Sequence, residues 1–308
     1  MPATADHFPG FTTRRIGEPG ADIFARVGGC GPPLLLLHGY PQTHVCWHRV
    51  APDLAQHATL VIPDLRGYGT SHCPPGDPAH ETYSKRAMAA EMRGVMHALG
   101  HQTFAVAGHD RGARVAYRMA LDHSEAVTAC IPIDILPTAE VWARMTGDSA
   151  QTSYHWSFLA QPAPMPETLI ARDPAYYVSH TLASWTRDKT LGCFDKAALA
   201  AYERALLAPE RIHAVCEDYR AGATIDRRLD AADRAADRTI TCPALTLWGS
   251  DYVGRGTAGV LDVWRTWAPG ITGSEITSGH FLAEENPQGV LAALVPFIAS
   301  TGRKGART

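Results

Sequence analysis

The sequence contains no Gly-x-Ser-x-Gly, the turn in which a serine hydrolase presents its nucleophile, so serine esterase and lipase chemistry has no attacking group here. It also contains no Cys-x-x-Cys. The seven cysteines, at 30, 46, 73, 130, 193, 216 and 242, are odd in number and scattered, which suits reduced core thiols better than a disulfide framework or a zinc knuckle. Charge of neither sign is in excess: 28 Lys+Arg stand against 31 Asp+Glu for a formal net charge of -3, leaving no basic field for nucleic acid or an anionic membrane surface. Long apolar runs are missing as well. The longest near the start, Pro32 to Leu37, falls far short of the roughly 20 residues of a membrane span, and no basic segment followed by an apolar one opens the chain. A soluble cytoplasmic protein is expected. His44 and His48 are four apart but lack the glutamate of His-Glu-x-x-His, so neither metal nor other cofactor is expected.

What is present is enough to fill a large core: 308 residues, 45% of them hydrophobic, with no repeat and no low-complexity tract. Short apolar runs at Pro33–Leu37, Leu60–Ile62, Phe104–Ala107, Ala129–Ile135 and Ala244–Trp248 read as buried parallel strands. Segments of helical period at Ser84–Leu99, Arg111–Leu121 and Pro287–Ile298 lie between or after them, so the pattern is that of βαβ units in a mostly parallel, doubly wound α/β sheet. After Ile135 the alternation stops, and it resumes at Ala244. The intervening stretch is helical in pattern, rich in Ala and aromatic residues and punctuated by Pro137, Pro162, Pro164, Pro166, Pro174 and Pro209. This predicts a core of 1–137 and 241–308, with its last few residues disordered, and an inserted helical cap over 138–240. The charged stretch Asp226 to Arg238 reads as a solvated helix face.

The strongest chemical signal is Gly108-His109-Asp110-Arg111-Gly112, directly after a strand and directly before a helix. Glycines there let a tight strand-to-helix bend form, with its central residue exposed at the tip. That residue is Asp110, and a carboxylate in this position can attack carbon and form an ester. His38-Gly39-Tyr40-Pro41 follows the first core strand and can aim backbone N–H groups into the same site. Ser278-Gly279-His280-Phe281 supplies a histidine base where the order nucleophile, acid, histidine requires one. The acid that orients it is open on spacing alone, because Asp134 ends one strand and Asp251 follows another.

Together with Tyr154-His155-Trp156, Glu217-Asp218-Tyr219-Arg220-Ala221-Gly222 and Gly279-His280-Phe281-Leu282, these segments resemble the haloacetate dehalogenases of the α/β-hydrolase superfamily, fluoroacetate dehalogenases in particular, over essentially the whole chain. The resemblance implies Asp110 as nucleophile, His280 as base and Asp134 as its acid, with Asp251 as the alternative. It further implies Arg111 and Arg114 on a substrate carboxylate, His155, Trp156 and Tyr219 around the halide, and Trp185 at the access route. It suggests a homodimer and a small haloacid substrate. Tyr40, where the family carries Phe, alters the polarity of the pocket.

Chemistry read from the residues alone agrees. Arg111 and Arg114 share a helix face beside the nucleophile, and a guanidinium fork holds a carboxylate, a group that neither an alkyl halide nor an epoxide possesses. Epoxide hydrolase is the second expectation, since Tyr154 and Tyr219 could protonate an epoxide oxygen. A third is a non-catalytic ligand receptor on the same fold.

Overall fold

The computed structural model describes residues 6–256 and 259–302, so the expected disorder of the last few residues lies outside the described residues. Eight strands form one sheet: β1 (Thr12–Ile16), β2 (Ile23–Gly29), β3 (Pro33–Leu37), β4 (Thr59–Pro63), β5 (Phe104–His109), β6 (Val127–Ile133), β7 (Leu245–Gly249) and β8 (Thr272–Ile276). Their order is β1-β2-β4-β3-β5-β6-β7-β8, antiparallel for β1/β2 and β2/β4 and parallel elsewhere. Leu34 to Leu37 of β3 are wholly buried, as are Val106 and Ala107 of β5. Such strands carry apolar side chains on both faces because helices cover both sides. The chain leaves β3 for β4 on one side and returns to β5 on the other. That reversal opens a crevice at the carboxyl ends of β3 and β5, where a doubly wound sheet binds its ligands.

Between β6 and β7 the described chain is helical throughout, from Thr138–Ala143 to Ile225–Ala235. Two long members, Pro174–Trp185 and Pro209–Ala223, turn their buried faces toward the crevice. The core strands expected from the apolar runs all form. The sequence reading lacked β1, β2 and β8, because β1 (TTRRI) and β8 (TGSEI) are largely exposed edge strands whose polar side chains mask a purely backbone pairing.

One expectation is overturned. The stretch from Asp226 to Arg238 is not a solvated face: Asp226, Asp230 and Asp233 are buried at spacings of four and three, on one side of the helix Ile225–Ala235. That side faces Arg118, itself 2% exposed, whose Nη2 donates to Asp230 Oδ1 at 3.1 Å and Asp233 Oδ2 at 2.5 Å. Tyr117 Oη and the Ala139 N–H also donate to Asp230 Oδ2, at 2.9 and 3.0 Å. Charge count along the chain cannot distinguish an acid facing water from one facing a buried arginine. Arg118→Ala leaves buried Asp230 without its cation and Asp233 with Arg238 alone, and should cost about 3–5 kcal/mol in urea unfolding. Arg265→Ala, on an exposed pair with Asp262, should stay within about 0.5 kcal/mol. Equal, small effects would refute the buried network.

Candidate active site

Asp110 sits at the tip of the bend between β5 and the helix Arg111–Asp122, with φ 48 and ψ -116, a conformation that costs a non-glycine residue about 1–3 kcal/mol. Tight packing holds it there. A Cβ on Gly112 would overlap the carbonyl oxygen of His38, so only glycine lets the helix start this close to the end of β3. The Tyr40 N–H, from that same β3 end, donates to Asp110 Oδ1 at 2.9 Å. This directs Oδ2 toward His280, whose Nε2 is 3.7 Å away. Burial opposes the charge on Asp110, but His280, His109, Arg111 and Arg114 outweigh it and keep the carboxyl below its ordinary range. The group is an ionised carboxylate at neutral pH.

His280 follows β8, and its Nδ1 lies 2.6 Å from Asp134 Oδ2. Asp134 is held in turn by the Gly249 N–H, which donates to its Oδ1 at 2.8 Å. Desolvation pushes the Asp134 carboxyl up as it pushes the His280 imidazole down to about 4, and the two hydrogen bonds that Asp134 accepts favour its ionised form. With Nδ1–H donated to Asp134, the lone pair of Nε2 faces Asp110, and Nε2 is buried without a hydrogen-bond partner. Asp251 is elsewhere, paired with Arg187 Nε at 2.8 Å on the surface. Among the described residues, His109, Asp134 and His280 bring possible metal-ligand atoms within 4.8 Å of one another. Of their nitrogens, His280 Nδ1 is bonded to Asp134 and His109 Nε2 to the His280 carbonyl at 2.7 Å.

Arg111 and Arg114 both lie near enough to Asp110 to lower its carboxyl and both are buried, but the expected two-pronged clamp is altered. The fork of Arg111 is already occupied: Nε donates to Asp218 Oδ2 at 3.0 Å and Nη2 to Asp218 Oδ1 at 2.7 Å. Only Nη1 is left buried and unpartnered. Arg114 donates through Nη1 to Leu136 O and Thr138 Oγ1, both at 3.0 Å, and leaves Nε unpartnered. Arg111 therefore offers one free nitrogen, whereas Arg114, bonded through Nη1 alone, has no partner at Nε or Nη2.

Aromatic rings from the helical stretch between β6 and β7 pack against the two arginines. Tyr219 lies against Arg111, the guanidinium carbon 4.3 Å from its ring centre, and Trp156 against Arg114 at 4.4 Å. The centroids of His155 and Tyr219 are 5.7 Å apart, and His155 Nδ1 and Tyr219 Oη are buried without partners. Burial drives His155 down to about 3, so the ring is neutral. Trp185 stands edge-on to His280 at 5.4 Å and packs on His155 at 4.4 Å, and its backbone carbonyl accepts the His280 N–H. The Tyr40 ring packs on Trp185 and Tyr219 while its hydroxyl is buried and unpartnered.

The sequence reading assigned no role to three residues: Asp218, which holds Arg111; His109, behind His280; and Tyr252, whose ring lies 4.3 Å from that of His280. An acid inside the apolar pattern of Pro209–Ala223 was the available signal for Asp218. Nothing in the local sequence marks Tyr252. His44 and His48 diverge, the first bonding Asp64 Oδ1 and the second the Val45 carbonyl.

Residues 32–287 match the sequence profile of the alpha/beta hydrolase fold. A fluoroacetate dehalogenase from Burkholderia sp. is 40% identical over 298 residues, 97% of this chain and 97% of its own. A soluble epoxide hydrolase from Corynebacterium sp. (strain C12) is 31% identical over 279 residues, 89% of this chain and 92% of its own. Among solved structures, a provisionally assigned α/β hydrolase from Nostoc sp. PCC 7120 superposes with a TM-score of 0.90 at 46% identity, covering 94% of this chain and 98% of that one. A provisionally assigned epoxide hydrolase from Pseudomonas aeruginosa gives 0.91 at 42%, covering 99% and 100%.

Burial holds four imidazoles far below 6.5: His38, His109 and His280 at about 4 and His155 at about 3. The unfolded chain protonates them near 6.5, so between roughly pH 6.5 and 4 it binds more protons than the folded one, and stability falls as pH drops through that window. The midpoint of urea unfolding should decrease continuously from pH 6.5 to 4.5. A midpoint constant over that interval would show that these rings titrate normally.

Proposed function

The chain belongs to the α/β-hydrolase family, and from that premise we propose that it hydrolyses carbon–halide bonds in small 2-haloacids through an ester on Asp110. The observation that carries the reading is the pair of buried, unpartnered guanidinium nitrogens, Arg111 Nη1 and Arg114 Nε, beside an ionised carboxylate. They suit a substrate that brings its own carboxylate into a pocket where a second anion would otherwise be repelled. The full-length likeness to a fluoroacetate dehalogenase supports the same reading.

In the first step Asp110 Oδ2 attacks the carbon bearing the halogen, and halide leaves with the bonding electron pair. On this reading His155 Nδ1, the Trp156 indole N–H and Tyr219 Oη donate to it, an interaction that grows as charge develops on the halogen. In the second, His280 Nε2 takes a proton from water as that water attacks the Asp110 carbonyl carbon, while the Tyr40 N–H stabilises the developing oxyanion at Oδ1. Asp134 holds the imidazole in the tautomer this requires. Collapse returns the proton to the departing oxygen and releases a 2-hydroxyacid, and loss of the water's second proton to solvent restores the Asp110 carboxylate. Chloroacetate and fluoroacetate should be turned over with stoichiometric halide release, and chloroacetamide poorly. Diol formation from styrene oxide together with inert haloacetates would favour the epoxide hydrolase reading, to which the Corynebacterium relative and the free Tyr219 hydroxyl lend support.

Fluoride is the hardest of these halides to expel, so a donor that acts on it should matter most for fluoroacetate. Tyr219→Phe should lower kcat/KM for fluoroacetate about 10-fold, or about 1.4 kcal/mol, and for bromoacetate much less. Equal losses across the halide series, on the same protein preparations, would make Tyr219 a packing residue.

A further inference from the structure

We propose that Asp218 and Gly222 are positioning residues that set the Arg111 guanidinium so that only its Nη1 is available to the pocket, making carboxylate recognition a contact shared between Arg111 and Arg114. The inference rests on the haloacid reading above. Asp218 and Gly222 lie one turn apart on the helix Pro209–Ala223 and meet the guanidinium from the same side. Besides the two bonds to its carboxylate, Arg111 Nη2 donates to the Asp218 backbone carbonyl at 2.7 Å. Three contacts from one residue define the plane and rotation of a rigid fork. The Tyr219 ring, stacked 4.3 Å from the guanidinium carbon, closes one face.

Asp218 cannot swing toward the pocket, because it is held from behind. Lys85 Nζ forms an ion pair with its Oδ1, and Tyr68 Oη donates to its Oδ2 at 2.7 Å. All four side chains are buried, and although burial opposes its charge, Arg111 and Lys85 hold Asp218 well below the usual carboxylate range. Lys85 thus shares the Asp218 charge with Arg111.

Gly222 supplies the space. A Cβ there would stand 3.5 Å from Arg111 Nη1 and 3.1 Å from Nη2, tight enough that the guanidinium must shift by a few tenths of an ångström. Arg114 is fixed independently by Leu136 O and Thr138 Oγ1, with Nε free. The one free nitrogen of Arg111 and the unbonded Nε–Nη2 side of Arg114 together offer donors for the two oxygens of one carboxylate. Neither Asp218 nor Gly222 is placed to touch substrate, and each acts through Arg111.

Glycolate, a carboxylate without halogen, and bromide, a halide without carboxylate, probe the two ends of the pocket separately. In the full chain, Gly222→Ala and Asp218→Asn should each weaken glycolate binding by about 10-fold or more in calorimetry. Bromide affinity, followed by tryptophan fluorescence, should stay within about 2-fold. Should Asp218→Asn fail to fold with Lys85 and Arg111 uncompensated, Gly222→Ala keeps every charge and decides alone. Unchanged glycolate affinity in folded Gly222→Ala overturns the positioning role, and so does an equal weakening of glycolate and bromide, which a general packing defect produces. If the unsubstituted protein binds bromide but not glycolate, the haloacid reading fails and takes the clamp with it; if it binds both and Gly222→Ala is unaffected, only the positioning fails.

Discussion

Two anions have to meet in a buried pocket for the proposed reaction to occur, the Asp110 carboxylate and the carboxylate of the substrate it attacks, and most of the site is arranged around that repulsion. In water a pair of like charges is screened, but in a pocket walled by aromatic rings it is not, so fixed cations must stand at defined points. Arg111 and Arg114 supply them, and both are positioned by other parts of the protein rather than by each other. Arg111 is bonded to the cap through Asp218, and Arg114 to the core through Leu136 O and Thr138 Oγ1. On the proposed reading, the helical insertion and the sheet meet at the substrate's carboxylate. Lys85 is part of the same balance, since it offsets the charge Asp218 brings with it.

The neutral groups follow from the same constraint. A protonated His280 or His155 would add positive charge near Asp110 and draw the nucleophile into an ion pair. Burial keeps both rings neutral, leaving His280 Nε2 free to accept a proton and His155 to act as a hydrogen-bond donor without charge. The strain at Asp110 belongs here too. Its positive φ turns the side chain out of the sheet and into line with the Tyr40 N–H and His280, and the close approach of the helix to the end of β3 sustains it.

Much of this was legible in the sequence, for physical reasons that differ between elements. The core strands announced themselves because strands buried on both faces must be apolar throughout, as Leu34 to Leu37 are. The Asp110 bend was legible because it needs glycines at fixed offsets. Asp134 and Asp251 were indistinguishable as partners for His280 because both follow strands. The choice depends on three-dimensional direction, and Asp134, at φ 54, turns toward the ring while Asp251 turns to Arg187 on the surface. The roles of Asp218 and the acidic side of Ile225–Ala235 were hidden for one reason: their partners, Arg111, Lys85 and Arg118, lie about a hundred residues or more away in sequence. A buried ion pair between distant segments leaves no local pattern.

The central claim is a covalent intermediate on Asp110 that His280 resolves. Intact-mass analysis of His280→Ala after incubation with chloroacetate tests it most directly, because the substitution leaves the attacking carboxylate in place and removes the group that activates water. The account predicts one equivalent of chloride released per chain and a carboxymethyl adduct that peptide mapping places on Asp110. Chloride release without an adduct, or sustained turnover by His280→Ala, would contradict it.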